Sequence, residues 1–146
     1  MNDEDIFHLG IKALIRNKQG DVLLLQVNPA KLHGERKNYW DLPGGRVQKG
    51  DSVIDTLRRE IEEETGITRI HNPVEVGMVL ANIRIPLKDN VSAGLILNVY
   101  VCDVLPGTPI KLSDEHIAYD WFTPMKAAAL LEVKYPEKFC SAIAQL

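Results

Sequence analysis

Cysteine is scarce: Cys102 and Cys140 stand far apart, with no Cys-x-x-Cys pair. That excludes a zinc ribbon or a disulfide framework and fits two small side chains held in a reducing compartment. Long apolar runs are missing too, since none approaches the ~20 residues that span a bilayer. The first ten residues, MNDEDIFHLG, are acidic and lack a basic segment ahead of an apolar one, so they do not read as a signal peptide. The expectation is a soluble, cytoplasmic protein with no membrane partner. Nor is there an excess of positive charge: 17 basic against 20 acidic residues leave a net charge of −3. Such a field does not suit a chain that wraps nucleic acid, although an acidic surface can meet a polyanion through intervening metal ions. Repeats, low-complexity segments and linkers are absent as well. The 146 residues read as one domain, 1–146, long enough to bury a sizeable core.

What is present reads as strands first and helices late, an α+β order in one layered domain. Residues 7–15 alternate partially, a turn follows at Asn17-Lys18-Gln19-Gly20, and residues 22–27 (VLLLQV) form a more buried strand. The two look like a hairpin. Residues 28–38 form a polar loop carrying Lys31, His33, Arg36 and Lys37. Residues 39–42 are a short strand stopped by Pro43-Gly44-Gly45. A helix is expected over 51–65, with Ser52 as N-cap and Gly66 at its C-terminal end. Strands follow at 74–85, 95–104 and 119–122, then helices at 125–133 and 137–144.

The helix at 51–65 carries chemistry. Glu60, Glu63 and Glu64 fall at i, i+3, i+4, so their carboxylates lie within about 100° of arc on one face. Ile54, Leu57 and Ile61 occupy a neighbouring face that can lie on a core. Taken alone, three acidic residues are also what a solvated face looks like, held by Arg59 and Glu63 at i, i+4. Their setting favours a hard divalent cation, which takes oxygen ligands. Pro43-Gly44-Gly45 places backbone just ahead of the helix, where a carbonyl can turn toward the same cation and a phosphate can approach closely.

These residues resemble the Nudix box, Gly-x5-Glu-x7-Arg-Glu-U-x-Glu-Glu-x-Gly-U, with U a bulky aliphatic. Gly45, Arg59-Glu60-Ile61, Glu63-Glu64 and Gly66-Ile67 match eight of its nine specified positions over residues 45–67; Asp51 stands where the family has Glu. The resemblance implies the Nudix fold, an α/β/α sandwich with a mixed central β-sheet, across nearly the whole chain. It implies a hydrolase that uses Mg²⁺, with Mn²⁺ as a substitute, to cleave the pyrophosphate of a nucleoside diphosphate derivative. By position, Glu60, Glu63 and Glu64 would supply metal ligands and the base, the Gly44 carbonyl a further ligand, and Arg59 the orientation of the carboxylates. An acidic residue ahead of a Trp-containing strand often reaches the metals from the other side in this family. Glu115, six residues before Trp121, is the candidate, with Asp114 the alternative.

Substrate contacts are less legible. Arg46, beside the box glycine, is placed to reach a phosphate, and Tyr39 or Phe7 to stack on a base. The basic loop and His116 read as readily as solvated or packing residues, and Trp40, Trp121 and Phe122 as core. A nucleoside triphosphate, oxidised or otherwise non-standard, is the first choice. ADP-ribose or a nucleotide sugar is next, and a Nudix-fold binding module without catalysis comes last because all three box glutamates are retained. The expected partner is a small nucleotide and not a nucleic acid; a homodimer is compatible with the sequence.

Overall fold

Side chains alternate across a strand with a period of two, and the segment Ile11 to Ile15 shows where that leads. Ile11, Ala13 and Ile15 enter one hydrophobic cluster, while Leu14 enters a second on the opposite side. A strand buried on both faces belongs in the middle of a sheet, and β1 (Phe7–Arg16) lies there. The protein, described here as a computed structural model, is placed over residues 3–31 and 39–146. Along one edge of β1 runs β7 (Ser92–Asp103), parallel from Phe7 opposite Gly94 to Arg16 opposite Asp103. Beyond it lies β5 (His71–Leu80), antiparallel. On the other side come β2 (Val22–Val27) and β3 (Trp40–Asp41). β4 (Gly44–Arg46) pairs with β1, β6 (Ile85–Pro86) with β7, and β8 (His116–Phe122) with β2. The sheet is therefore mixed.

One helix covers one face and two cover the other. α1 (Val53–Thr65) lays Leu57 and Ile61 on Ile11, Ile15, Leu23 and Leu25. α2 (Pro124–Leu131) and α3 (Glu137–Ala144) lay Ala127, Leu131, Phe139 and Ile143 on Leu14, Leu24, Leu97 and Val99. This is the expected α/β/α sandwich. α1 starts as its sequence predicts: the Ser52 side chain accepts from the Asp55 N–H at 3.1 Å. Gly66 ends it in the left-handed region, at φ 75°, donating its N–H to the Glu62 carbonyl. Among the described residues, no helix is long and apolar enough to cross a membrane.

Three local expectations are corrected. The hairpin of β1 and β2 is barely one, since the paired register is Arg16 opposite Val22 and β2 then diverges to pair with β8. Residues 44–46 are strand and not a flexible stop: they fill the edge of β1 that β2 leaves, with Gly44 opposite Lys12. Residues 74–85 are not one strand, because β5 ends at Leu80 and pairing resumes at Ile85. Local propensity could not settle these points, since each depends on which distant strand occupies a neighbouring edge.

One charge cluster inside the fold was not foreseen. Lys12, on the same face of β1 as Leu14, is buried and reaches the buried Asp41 of β3, Nζ to Oδ2 at 3.2 Å. Lys134, just after α2, donates to the same oxygen at 2.7 Å, and the Tyr135 hydroxyl donates to Oδ1 at 2.6 Å. Burial alone would raise the Asp41 carboxyl, but the two lysines hold it well below the usual carboxylate range. The cluster ties β1 and β3 to the segment joining α2 and α3. Asp41→Ala leaves two buried ammonium groups without their anion, so a loss of about 3–5 kcal/mol is expected in urea unfolding. A loss below about 1 kcal/mol, the scale of an exposed pair, would show that the cluster contributes nothing of the kind.

Candidate active site

The carboxylates of α1 reach the sheet at two glycines where no side chain would fit. Gly44, at φ 152°, has the Ile11 carbonyl where a Cβ would go, and its N–H donates to Glu64 Oε1 at 2.9 Å. A Cβ on Gly45 would sit 2.7 Å from both carboxylate oxygens of Glu60. The glycines thus let α1 press two of its glutamates onto β4. Glu64 is 3% exposed, whereas Glu63, its neighbour in sequence, stays in solvent.

Electrostatics separates the three. Burial pushes the Glu64 carboxyl up to about 8, against the lowering pull of Lys12 and of the Gly44 hydrogen bond. Burial also raises Glu60, helped by the charge of Glu63 and opposed by Arg59. Arg59 bridges the helix to its leading loop: Nη1 lies 3.1 Å from Asp51 Oδ2, Nη2 3.6 Å from Glu60 and Nε 3.9 Å from Glu63. Its nearest partner is therefore Asp51, the residue that departs from the box, and not Glu63 as the i, i+4 spacing suggested. Aspartate at that position still reaches the arginine.

From the opposite side, β2 and β8 bring in Glu115 and His116. The Glu115 carbonyl accepts from the Asn28 N–H at 2.9 Å, which fixes the turn that leads into β8. Ligand atoms of Glu64, Glu115 and His116 all lie within 4.8 Å of one another. Burial holds His116 down to about 4, with Lys12 adding to the effect, so its ring is neutral at pH 7. Its Nδ1 is buried and without a hydrogen-bond partner among the described residues. A buried carboxyl, a second carboxylate and an orphaned imidazole nitrogen form a donor set that fits a divalent cation. Asp114, the alternative to Glu115, instead faces Lys31 at 3.3 Å on the surface.

The remaining candidates divide between two hollows. Tyr39 and Arg46 line a cavity of about 240 Å³ that opens beside Gly45, together with Lys12 and Lys134. Phe7 lies outside it, its ring over Gly94, in a neighbouring groove with Arg46 and Lys49. Arg46 Nη1 donates to His8 Nδ1 at 3.1 Å. His33, Arg36 and Lys37 of the basic loop lie outside the described residues. Trp40 packs edge-on against Phe122, ring centroids 5.1 Å apart, in the core expected for it. His116, read from the sequence as readily as a solvated or packing residue, lies with Glu64 and Glu115, and sequence reasoning passed over Lys12, Asp41 and Lys134. The one signal was a lysine inside an apolar strand, Gly10-Ile11-Lys12-Ala13-Leu14.

The model of the NUDIX domain matches residues 6–141. The chain belongs to the NUDIX domain family. Among solved structures, it is similar to the MutT protein from Methanosarcina mazei Go1, with 29% identity and a TM-score of 0.70, covering 99% of this chain and 95% of that one. An uncharacterized Nudix hydrolase of Bacillus subtilis is 33% identical over 84 residues, 58% of this chain and 51% of that protein. The 8-oxo-dGDP phosphatase of Mus musculus is 32% identical over 57 residues, 39% of this chain and 16% of that protein. The chain thus spans about half or less of the length of these curated relatives.

Glu64 gives this site a pH signature. Its carboxyl is raised in the folded state, so the protonated form favours folding fully below the ordinary carboxylate range. That contribution is lost as pH rises through about 8. In the metal-free protein, Glu64→Gln should therefore flatten the decline in Tm between about pH 5 and about pH 8, by several degrees at the upper end. Calorimetric scans of both proteins in a chelator check this; superimposable pH profiles would contradict the burial argument.

Proposed function

We propose that this protein is a divalent-metal-dependent hydrolase that cleaves the pyrophosphate linkage of a nucleoside diphosphate derivative, a nucleoside triphosphate being the first choice. The observation that carries the reading is the convergence of Glu60 and Glu64, from one side, with Glu115 from the other, at the Gly44–Gly45 backbone. Membership of the NUDIX domain family supports it, as does the likeness to proteins whose names include MutT and 8-oxo-dGDP phosphatase. We take residues 1–146 as one catalytic domain acting on a small nucleotide.

Glu60, Glu64, Glu115 and, in this chain, His116 would hold the cation, Mg²⁺ with Mn²⁺ as a substitute; Glu63 and the Gly44 carbonyl complete the set the family pattern implies. When bound, it supplies Lewis acidity toward phosphoryl oxygens and lowers the pKa of water at the site. The chain's own residues do the rest. The Gly44 N–H fixes the Glu64 carboxylate, leaving its second oxygen for the cation. Arg59, anchored by Asp51, lies within ion-pair distance of both Glu60 and Glu63 and would hold their carboxylates in place. Glu63, exposed to solvent beside the cage, is suited to take a proton from attacking water, and Glu60, half-buried against Gly45, is the alternative. Arg46, on the rim of the cavity beside Gly45, is placed to meet a phosphate, and Tyr39 to meet a base.

Hydrolysis of a panel of nucleoside triphosphates, ADP-ribose and nucleotide sugars tests this, with products separated by chromatography. Turnover should vanish in a chelator and return with Mg²⁺ or Mn²⁺. Glu63→Gln and Glu64→Gln should each lower kcat by ~10²-fold or more, the scale of a lost proton-transfer or metal-binding group. Unchanged kcat in both variants would remove the mechanism, and no turnover of any pyrophosphate compound would favour a binding module. A second substitution probes position: Gly45→Ala displaces the Glu60 carboxylate and should reduce kcat more than it raises KM. An unaltered kcat would show that the close approach is dispensable.

A further inference from the structure

The cavity beside Gly45 has two kinds of wall. Ile83, Ile85, Leu95 and Leu97 make an apolar slot, and Lys12 and Lys134 line the same cavity. Both lysines are buried, and the anion between them, Asp41, is a single charge shared by two. That oxygen pair is also fully engaged, accepting from the Tyr135 hydroxyl and the Leu42 N–H as well. The cluster therefore carries one positive charge more than negative, facing a hollow. An ammonium has three donors and no acceptor. Lys12 uses two of its donors, on Asp41 and on the Leu42 carbonyl, and Lys134 uses one, on Asp41, among the described residues. Donors are left over on both, most of all on Lys134.

A flat ring with acceptors along one edge satisfies both walls at once: its faces bury against aliphatic side chains, and its edge receives the spare N–H groups. A phosphate would satisfy the lysines but lose its hydration against four aliphatic side chains. We propose that this cavity is a nucleobase pocket in which Lys134, with Lys12, selects 6-oxopurines over 6-aminopurines by donating to the O6 and N7 acceptors. Adenine presents an amino group at position 6, a donor set against a donor, whereas guanine and hypoxanthine present acceptors at both positions. The slot opens at Gly45, whose backbone touches Glu60, so a base seated here directs its phosphates toward the carboxylates of α1. The inference rests on reading that helix as the pyrophosphate site. Burial lowers Lys134 to about 8, against the pull of Asp41, which leaves it largely cationic at neutral pH.

Binding of IMP, GMP, AMP and 2-aminopurine riboside monophosphate to the wild-type protein with Mg²⁺, followed by calorimetry, tests the pocket without any variant. IMP and GMP should bind at least about tenfold more tightly than the two nucleotides lacking O6, since a site built around a hydrogen bond rejects a ligand that cannot make it. Equal affinities for all four would overturn the proposal. Lys134→Met, checked for folding by its thermal transition, should bring the four affinities within about twofold of one another. Should that variant fail to fold, Ile85→Trp, which fills the slot from its wall, should weaken IMP and GMP at least about tenfold; an unweakened IMP would place the base elsewhere. Turnover is measured separately. Base preference without hydrolysis would defeat the enzyme reading and keep the pocket, and hydrolysis without base preference would do the reverse.

Discussion

A helix can bring carboxylates against a strand only where the strand has no side chains in the way, and here that condition is met by two consecutive glycines. With Gly44 and Gly45 in β4, Glu60 and Glu64 approach the backbone within contact distance, and the Gly44 N–H becomes the hydrogen-bond donor that replaces water for Glu64. Everything else in the site is built around that contact. The same two residues fill the edge of β1 next to Lys12, and Gly45 forms the margin of the cavity as well as the seat of Glu60. Removing the glycines would not simply loosen a loop; it would separate the helix from the sheet at the point where charge is concentrated.

Burying charge there has a cost that the fold offsets in two different ways. Asp41 is held ionised by Lys12, Lys134 and Tyr135, with both carboxylate oxygens engaged. Glu64 has no comparable partner, so burial pushes its carboxyl toward the neutral form. The first cluster is structural glue with a positive surplus, and the second is a site under electrostatic tension. They lie close enough to feel one another: Lys12 acts on Glu64 and on His116 as well as on Asp41. The proposed cation site and the proposed base pocket therefore have one buried lysine of β1 in common.

The sandwich itself was readable because its signals are local and periodic. Ser52 and Gly66 bracket α1 within two residues of the expected span, and Leu57 and Ile61 face the sheet as the 3.6-residue period requires. The alternation from Ile11 to Ile15 places β1 at the centre once it is seen that both of its faces are apolar. The pairings were not readable. The divergence of β2 from β1, the strand character of residues 44–46 and the break after Leu80 each reflect competition between distant segments for one sheet edge.

The sequence by itself determined the box: the order, spacing and identity of Gly45, Arg59, Glu60, Glu63, Glu64 and Gly66, hence the face of α1 that carries the carboxylates and the family they belong to. Those features follow from helical periodicity and from residue types that no neighbour can change. Only the tertiary structure decided which glutamate is buried and which stays in water, that Asp51 is the closest partner of Arg59, and that His116 joins Glu115 at the cage. It also decided that Lys12 and Lys134, 122 positions apart in the chain, share one aspartate and line one partly apolar cavity. Burial, charge pairing and the meeting of three segments are properties of the packed sheet and its two helical layers, and no spacing along the chain encodes them.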